Sequence, residues 1–388
     1  MMPPADLRAV LDDGLATGAY GWAVALVCSA EQTLAEFAVG EAQHEPERRP
    51  LAADTLFDLA SLTKVVAGVS AALILLDRGL WSLDDPAARL IPGFAIHGKG
   101  SITIRQLLTH SSGLPPWAPL YLRARSRDEA LPVLCDLQLE ASPGSRIAYS
   151  DLGFVLLAYL VEATVGEGFA AFVERELFVP LGMRDTCYLP DPALRARCAA
   201  TACGNAHEVA MLAADGLRWD GWREGVLMGE VHDGNAHYAL GGVSAHAGLF
   251  STAANLSRLC RLYLAEGDWE GRQLIGAASI AAAITEQAAD GGQRYGLGWR
   301  LAAPFMDLRA SDRAFGHTGF TGTSMVIDPA CGLASVLLTN AVHTDPDREG
   351  IARVRPRFHD AAHPRFGGAG PGRVPDGTLV PGRRTTAS

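Results

Sequence analysis

The sequence predicts an α+β fold: one sheet drawn from both ends of the chain, flanked by helices, with a long and mostly helical middle inserted. Three observations predict it. Strand-like apolar runs cluster early, at 22–28 and 33–39, and late, at 295–300, 322–328 and 333–340. The stretch between them repeats apolar residues at helical spacing, as at 62, 65, 66, 69, 73 and 76. Hydrophobic residues make up 48% and charged residues 20% of the 388, which suits a folded protein and excludes a disordered one. Early and late strands must meet in one sheet. The chain then divides into a sheet domain, 1–80 plus 240–362, and a helical domain, 81–239.

Taken in order, the N-terminal MMPPADLRAVLDDGLATGAYGW reads as a short amphipathic helix carrying acidic residues. It lacks a basic region followed by a continuous apolar run, so no signal peptide is expected. No window of about 18 apolar residues occurs, so no membrane partner is expected either. After the first two strands, Val65 to Leu76 reads as a buried helix that starts near Ser61 and stops before Gly79. Tyr149-Ser150-Asp151 occupy the turn that opens a strongly apolar helix through Phe154, Leu157 and Val161. The late strands follow Phe315-Gly316-His317-Thr318-Gly319-Phe320, where glycines on both sides of His317 predict a strand whose backbone is closely approached. Residues 363–388, rich in Gly, Pro and Arg, read as a disordered tail.

The net charge of −10 lacks the basic footprint that phosphate neutralisation requires, so nucleic acid is excluded as a partner. The seven Cys are an odd number with no C-x-x-C, and only Cys198 and Cys203 lie close in sequence. They read as reduced thiols of a cytoplasmic protein.

Of the 33 basic residues, all but Lys64 and Lys99 are Arg. A guanidinium cannot give up its proton in a protein, whereas an ammonium can be tuned to do so. Lys99, in the Gly-flanked HGKGS, reads as a solvated surface charge. Lys64 follows Ser61 by three residues, so the two share one face of a helix. A hydroxyl and an amine are thereby held together beside free helix N-terminal N–H groups that suit a developing anion. A serine needs such a neighbouring base to become a nucleophile.

With SLTK, YSD and HTG in that order, the chain resembles the serine hydrolases of the class C β-lactamase and penicillin-binding-protein superfamily, whose signatures are S-x-x-K, Y-x-N and K-T-G or H-T-G; it also resembles family VIII esterases. The resemblance covers residues 5–362. It implies an α/β sandwich with an antiparallel sheet of five or more strands, flanked by helices and carrying a helical domain. It implies Ser61 as the acyl-forming nucleophile, Lys64 as its activator and Tyr149 as general base or acid. Asp151, His317, Thr318 and Gly319 would line the substrate, and the backbone N–H groups of Ser61 and Phe320 would form the oxyanion hole.

Two positions depart from the β-lactamase pattern. Asp151 stands where Asn is usual; it either faces Lys64, favouring the ammonium, or turns away to cap the helix. A rival frame takes Ser150-Asp151 as the working pair, but Leu152 follows where that signature has Asn. His317 replaces Lys, and a neutral imidazole holds a substrate carboxylate less firmly. The segment GEVHDGNAHYALGGVSAHAGLF contains His232, Asp233, His237 and His246 at no standard zinc spacing, so it reads as a loop at the site rim. No metal and no cofactor are expected. His110 reads as structural, in a segment that ends a helix at Gly113. The expected activity is a serine hydrolase forming a Ser61 acyl-enzyme on small acyl substrates, esterase-like in the first instance. β-Lactamase or D-alanyl-peptidase activity is the alternative, and a catalytically silent binding protein is the alternative of another class.

Overall fold

The computed structural model describes residues 5–43, 49–306, 310–344 and 348–366. Nine strands form one sheet: β1 (Trp22–Cys28), β2 (Thr33–Gln43), β3 (Arg49–Pro50), β4 (Ala288–Asp290), β5 (Gln293–Tyr295), β6 (Arg300–Leu301), β7 (Phe315–Thr318), β8 (Ser324–Asp328) and β9 (Leu333–Thr339). Their order is β4-β5-β6-β7-β8-β9-β1-β2-β3, and every pairing is antiparallel. The first strand of the chain thus lies between the last strand and β2.

Composition explains that central place. All seven residues of β1 are buried, and the strand feeds two cores. Trp22, Val24, Leu26 and Cys28 face the large core under the inserted helices. Ala23, Ala25 and Val27 face a second core closed by helix α1 (Ala5–Ala16) and the C-terminal helix, through Leu7, Leu11, Val354 and Phe358. Small residues on that second face let the two helices lie close to the sheet.

The expected strand at 295–300 is instead a tight hairpin between β5 and β6, because Gly298 adopts φ +74° and turns the chain. The expected helix near Ser61 begins with Lys64–Val69 in π geometry and continues as Ser70–Asp77; together these are α2. Helix α3 (Asp151–Val165) is capped by Ser150, whose Oγ accepts from Gly153 N. Helix α4 (Ala206–Ala214) belongs to the insertion, and α5 (Ala253–Leu264) packs on β1 and β9. Helix α6 (Glu349–Phe366) runs four residues past the point where the tail was expected to begin; the rest of that tail, 367–388, lies outside the described residues. Among the described residues, no single helix is long and apolar enough to cross a membrane.

Lys99 is not the surface charge its glycines suggested. It is fully buried, its Nζ donates to the Leu137 carbonyl (2.6 Å), and it lies over the Phe94 ring. A long flexible stem lets an amine reach a carbonyl inside the helical region.

Candidate active site

Ser61 sits in the turn between the short strand Phe57–Asp58 and α2. The residue before it, Ala60, has φ +46°, a conformation that costs a non-glycine residue about 1 kcal/mol or more. Asp58 holds the turn: its Oδ1 accepts from Ala60 N (2.8 Å) and its Oδ2 from His232 N (2.7 Å). Burial pushes the Asp58 carboxyl up to about 6 despite those donors.

Lys64 is fully buried, and its Nζ donates to Ser61 Oγ (3.0 Å), Asp151 Oδ1 (2.6 Å) and the His246 carbonyl (3.3 Å). Three acceptors match the three protons of an ammonium. Burial favours the neutral amine, but Asp151 and then Tyr149 outweigh it and raise the Lys64 pKa. Asp151 therefore faces Lys64 and does not turn away; the cap is Ser150. Ser150 Oγ also donates to the Pro115 carbonyl (2.7 Å), so the rival Ser150-Asp151 frame brings its carboxylate to the cluster and leaves its hydroxyl engaged elsewhere.

The Tyr149 ring lies 4.8 Å from Lys64 Nζ and 5.9 Å from the His317 ring. Burial raises its phenol; the Lys64 charge lowers it, Asp151 raises it, and hydrogen bonding to Lys64 and Ser61 lowers it, with a net rise. Behind it stands His110, whose ring centroid is 4.5 Å from that of Tyr149 and whose Nδ1 accepts from Ser150 N (3.0 Å). The structural histidine thus backs the aromatic ring of the cluster, with burial pushing its pKa well down.

Strand β7 brings His317, Thr318 and Gly319 to the same place. A Cβ at Gly319 would lie 2.4 Å from the Leu59 carbonyl and 2.0 Å from Thr323 Oγ1, so only glycine fits against the nucleophile segment. Thr321 Oγ1 and Thr323 Oγ1 donate to the carbonyls of Asp58 (2.8 Å) and Leu59 (3.0 Å) and lock this turn to the strand before Ser61. The backbone N–H groups of Ser61 and Phe320 make no hydrogen bond among the described residues. His317 is buried; its Nδ1 donates to the Thr318 carbonyl (2.8 Å), and burial with the nearby Lys64 charge pushes its pKa down to about 3.

Two cavities meet at Ser61 and Tyr149. One is lined by His317, Thr318 and Gly319 together with Arg300, Arg348 and Arg355. Sequence reasoning missed these arginines, because in a chain whose cations are nearly all Arg no single one stands out. Arg300 lies on β6 opposite Gly316, and Arg355 on α6 donates Nη2 to the Gly319 (2.7 Å) and Thr323 (3.0 Å) carbonyls. The Arg348 guanidinium lies 3.9 Å from the centre of the Phe320 ring. The other cavity is lined by Trp117, Asp151, His207, Glu208, His232 and Asp233, among others. The VHD segment is therefore a wall of the site as well as its rim. His246 Nε2 pairs with Asp233 Oδ1 (3.0 Å), while the His246 carbonyl receives Lys64. Among the described residues no group of three or more His, Cys, Asp and Glu could hold a metal ion. Chemically, a hydroxyl, an ammonium, a phenol and two unengaged N–H groups around one point suit acyl transfer through an oxyanion.

The family model described as β-lactamase matches residues 7–357. A protein of Escherichia coli K12 named "Putative D-alanyl-D-alanine carboxypeptidase" is 35% identical over 321 residues, covering 76% of this chain and 71% of its own length. An N-acetylmuramyl-L-alanine amidase of Bacillus subtilis 168 is 32% identical over 326 residues, covering 77% and 72%. A penicillin-binding protein homologue from Caulobacter crescentus superposes with a TM-score of 0.72 at 23% identity, covering 93% of this chain and 96% of the other.

Proposed function

Because the chain belongs to the β-lactamase family and is a serine hydrolase of that superfamily, we propose that it cleaves amide or peptide bonds whose leaving half carries a carboxylate. The observation that carries this reading is the cavity of Arg300, Arg348 and Arg355 beside Ser61. The neutral imidazole in place of the usual lysine argued for uncharged substrates. Three guanidiniums in the same cavity replace the missing cation and add forked geometry that suits a carboxylate. The names of the two curated relatives, a carboxypeptidase and an amidase, point to the same bond class.

In this reading Ser61 Oγ attacks the carbonyl carbon, and the N–H groups of Ser61 and Phe320 receive the oxyanion. Removing one such donor typically costs about 3–4 kcal/mol in the transition state. Lys64 remains an ammonium and positions Ser61 Oγ by donating to it. The Ser61 proton then passes to Tyr149 as phenolate, and Tyr149 returns it to the departing nitrogen. Water reverses the sequence on the acyl-enzyme.

A fluorophosphonate probe followed by intact-mass measurement is expected to add one label to the protein and none to Ser61→Ala; an unlabelled parent protein would favour the silent-binder reading. An N-acyl-D-alanyl-D-alanine is expected to be cleaved at least 10-fold faster than its C-terminal amide, with the difference lost in Arg300→Ala. Equal rates for acid and amide overturn the carboxylate reading. The neutral His317 favours a second reading, an esterase for small uncharged acyl groups; p-nitrophenyl butyrate turnover exceeding that of every peptide would favour it.

A further inference from the structure

The arginine cavity carries more positive charge than one carboxylate neutralises. Elsewhere in this chain arginines are matched to acids, as in Arg127 with Glu162 and Arg197 with Asp185. Arg300 and Arg355 differ. Among the described residues neither lies within ion-pairing distance of a carboxylate, and no Asp or Glu lines the cavity. Gln293, Tyr295 and His317 on its wall supply no counter-charge. Burial holds the His317 ring neutral at pH 7, the Lys64 charge adds to that, and the charges of Arg300 and Arg355 add further.

The cations reach this space from different elements. Arg300 stands on β6, opposite Gly316 of β7. Arg355 stands on α6 and donates Nη2 to the Gly319 and Thr323 carbonyls, in the turn that leads from β7 to β8. Those bonds engage one nitrogen and cancel no net charge, and Arg355 Nε is buried without a hydrogen bond among the described residues. Burial, then the Arg348 charge, lowers the Arg355 pKa, so a second guanidinium is close enough to be felt at this end. A guanidinium keeps its proton even so. Like charges held together in a half-buried space repel unless an anion joins them. One carboxylate reaches one end of the cavity and leaves the other unneutralised. A compact phosphate concentrates its charge at one point and does the same. Two separated carboxylates on one amine meet both ends.

We propose that the cavity of Arg300, Arg348 and Arg355 is the subsite for an acidic amino acid as the leaving half, its α-carboxylate meeting Arg300 and its side-chain carboxylate meeting Arg348 and Arg355. This deepens the reading of Ser61 as an amide-cleaving nucleophile and rests on it. The acyl C–N bond breaks after the Ser61 Oγ–C bond has formed. The aminodicarboxylate departs with the proton that Tyr149 took from Ser61 and returns to its nitrogen.

Binding to Ser61→Ala tests the subsite without turnover. Isothermal titration would compare N-acetylglutamate with its near-isostere N-acetylglutamine, which lacks only the second carboxylate, and with N-acetyl-O-phosphoserine, each as the L and the D form. In one series the glutamate compound is expected to bind at least about 10-fold more tightly than the other two, as a charge-assisted pair does over a neutral one. That preference over glutamine is expected to shrink to within about two-fold in Ser61→Ala/Arg348→Gln and to survive in Ser61→Ala/Arg348→Lys, with melting temperatures confirming that both variants fold. Equal binding of the glutamate and glutamine compounds in both series, tighter binding of the phosphoserine compound, or a preference untouched by Arg348→Gln overturns the proposal. N-acetylglutamine against its α-amide reports on the α-carboxylate alone, so a failure of the carboxylate reading is distinguishable from a failure of the second seat.

Discussion

Asp151 decides which member of the cluster holds a proton. Its carboxylate, 2.6 Å from Lys64 Nζ, raises the pKa of both Lys64 and Tyr149. A chain using Tyr149 as phenolate therefore needs a higher pH than one with a neutral amide at that position. Asp151→Asn is expected to move the acidic limb of the kcat/KM profile to lower pH by about one unit, since an adjacent charge shifts a pKa by about 1–3 units. A limb that stays in place, or moves up, contradicts the assignment of Tyr149 as the proton acceptor. At this scale Ser61 and Lys64 stand out in the sequence through helical spacing and the scarcity of lysine, whereas Tyr149 stands out only through the resemblance of YSD to the family signature. Whether Asp151 faced inward was not legible, since Asp serves equally as a cap, and only the packing of α3 against α2 settles it. Lys99 misled for the opposite reason: its glycine neighbours describe the backbone and say nothing of where a long side chain reaches.

Two short elements, the turn after Phe57–Asp58 and the end of β7, position the reacting groups through backbone contacts. The glycine at 319 exists because the Leu59 carbonyl occupies the space of a side chain. Gly319→Ala is expected to push the Phe320 N–H away from Ser61 and lower kcat by about 100-fold or more, as loss of an oxyanion donor does. The variant should still fold, with melting lowered by an overpacking penalty of about 1–3 kcal/mol. Wild-type kcat in that variant would show that the turn tolerates the methyl group and does not place the N–H. The flanking glycines announced this close approach in the sequence. The break of the 295–300 run into a hairpin was also present there as Gly296-Leu297-Gly298, and the apolar residues around it masked the turn. Neither signal tells which partner strand or carbonyl does the approaching, because that depends on chain segments more than 250 residues apart.

For the molecule as a whole, buried neutral histidines set the behaviour in acid. Burial holds His317 at about 3 and His232 and His237 at about 4, and His110 well below its ordinary value. Unfolding releases them to about 6.5, so below that pH the unfolded chain binds more protons and stability falls as pH falls. The melting temperature is expected to drop steadily between pH 6.5 and about 4 in thermal melts; a flat profile over that window contradicts the burial of these rings. The α+β architecture and the meeting of early and late strands were legible from where the apolar runs lie. The partition of polar and basic cavities on either side of Ser61 was not, since it is assembled from α4, β6, α6 and loops with no shared sequence pattern.

The placement of β1 between β2 and β9 has a consequence for how the protein is made. Until the ribosome has delivered residues near Thr339, one margin of an entirely apolar ribbon waits without its neighbour, and the cleft around the nucleophile cannot close. Synthesis must pass Thr339 before any catalyst exists, so a premature stop upstream of β9 yields an inert, sticky fragment in place of a smaller enzyme.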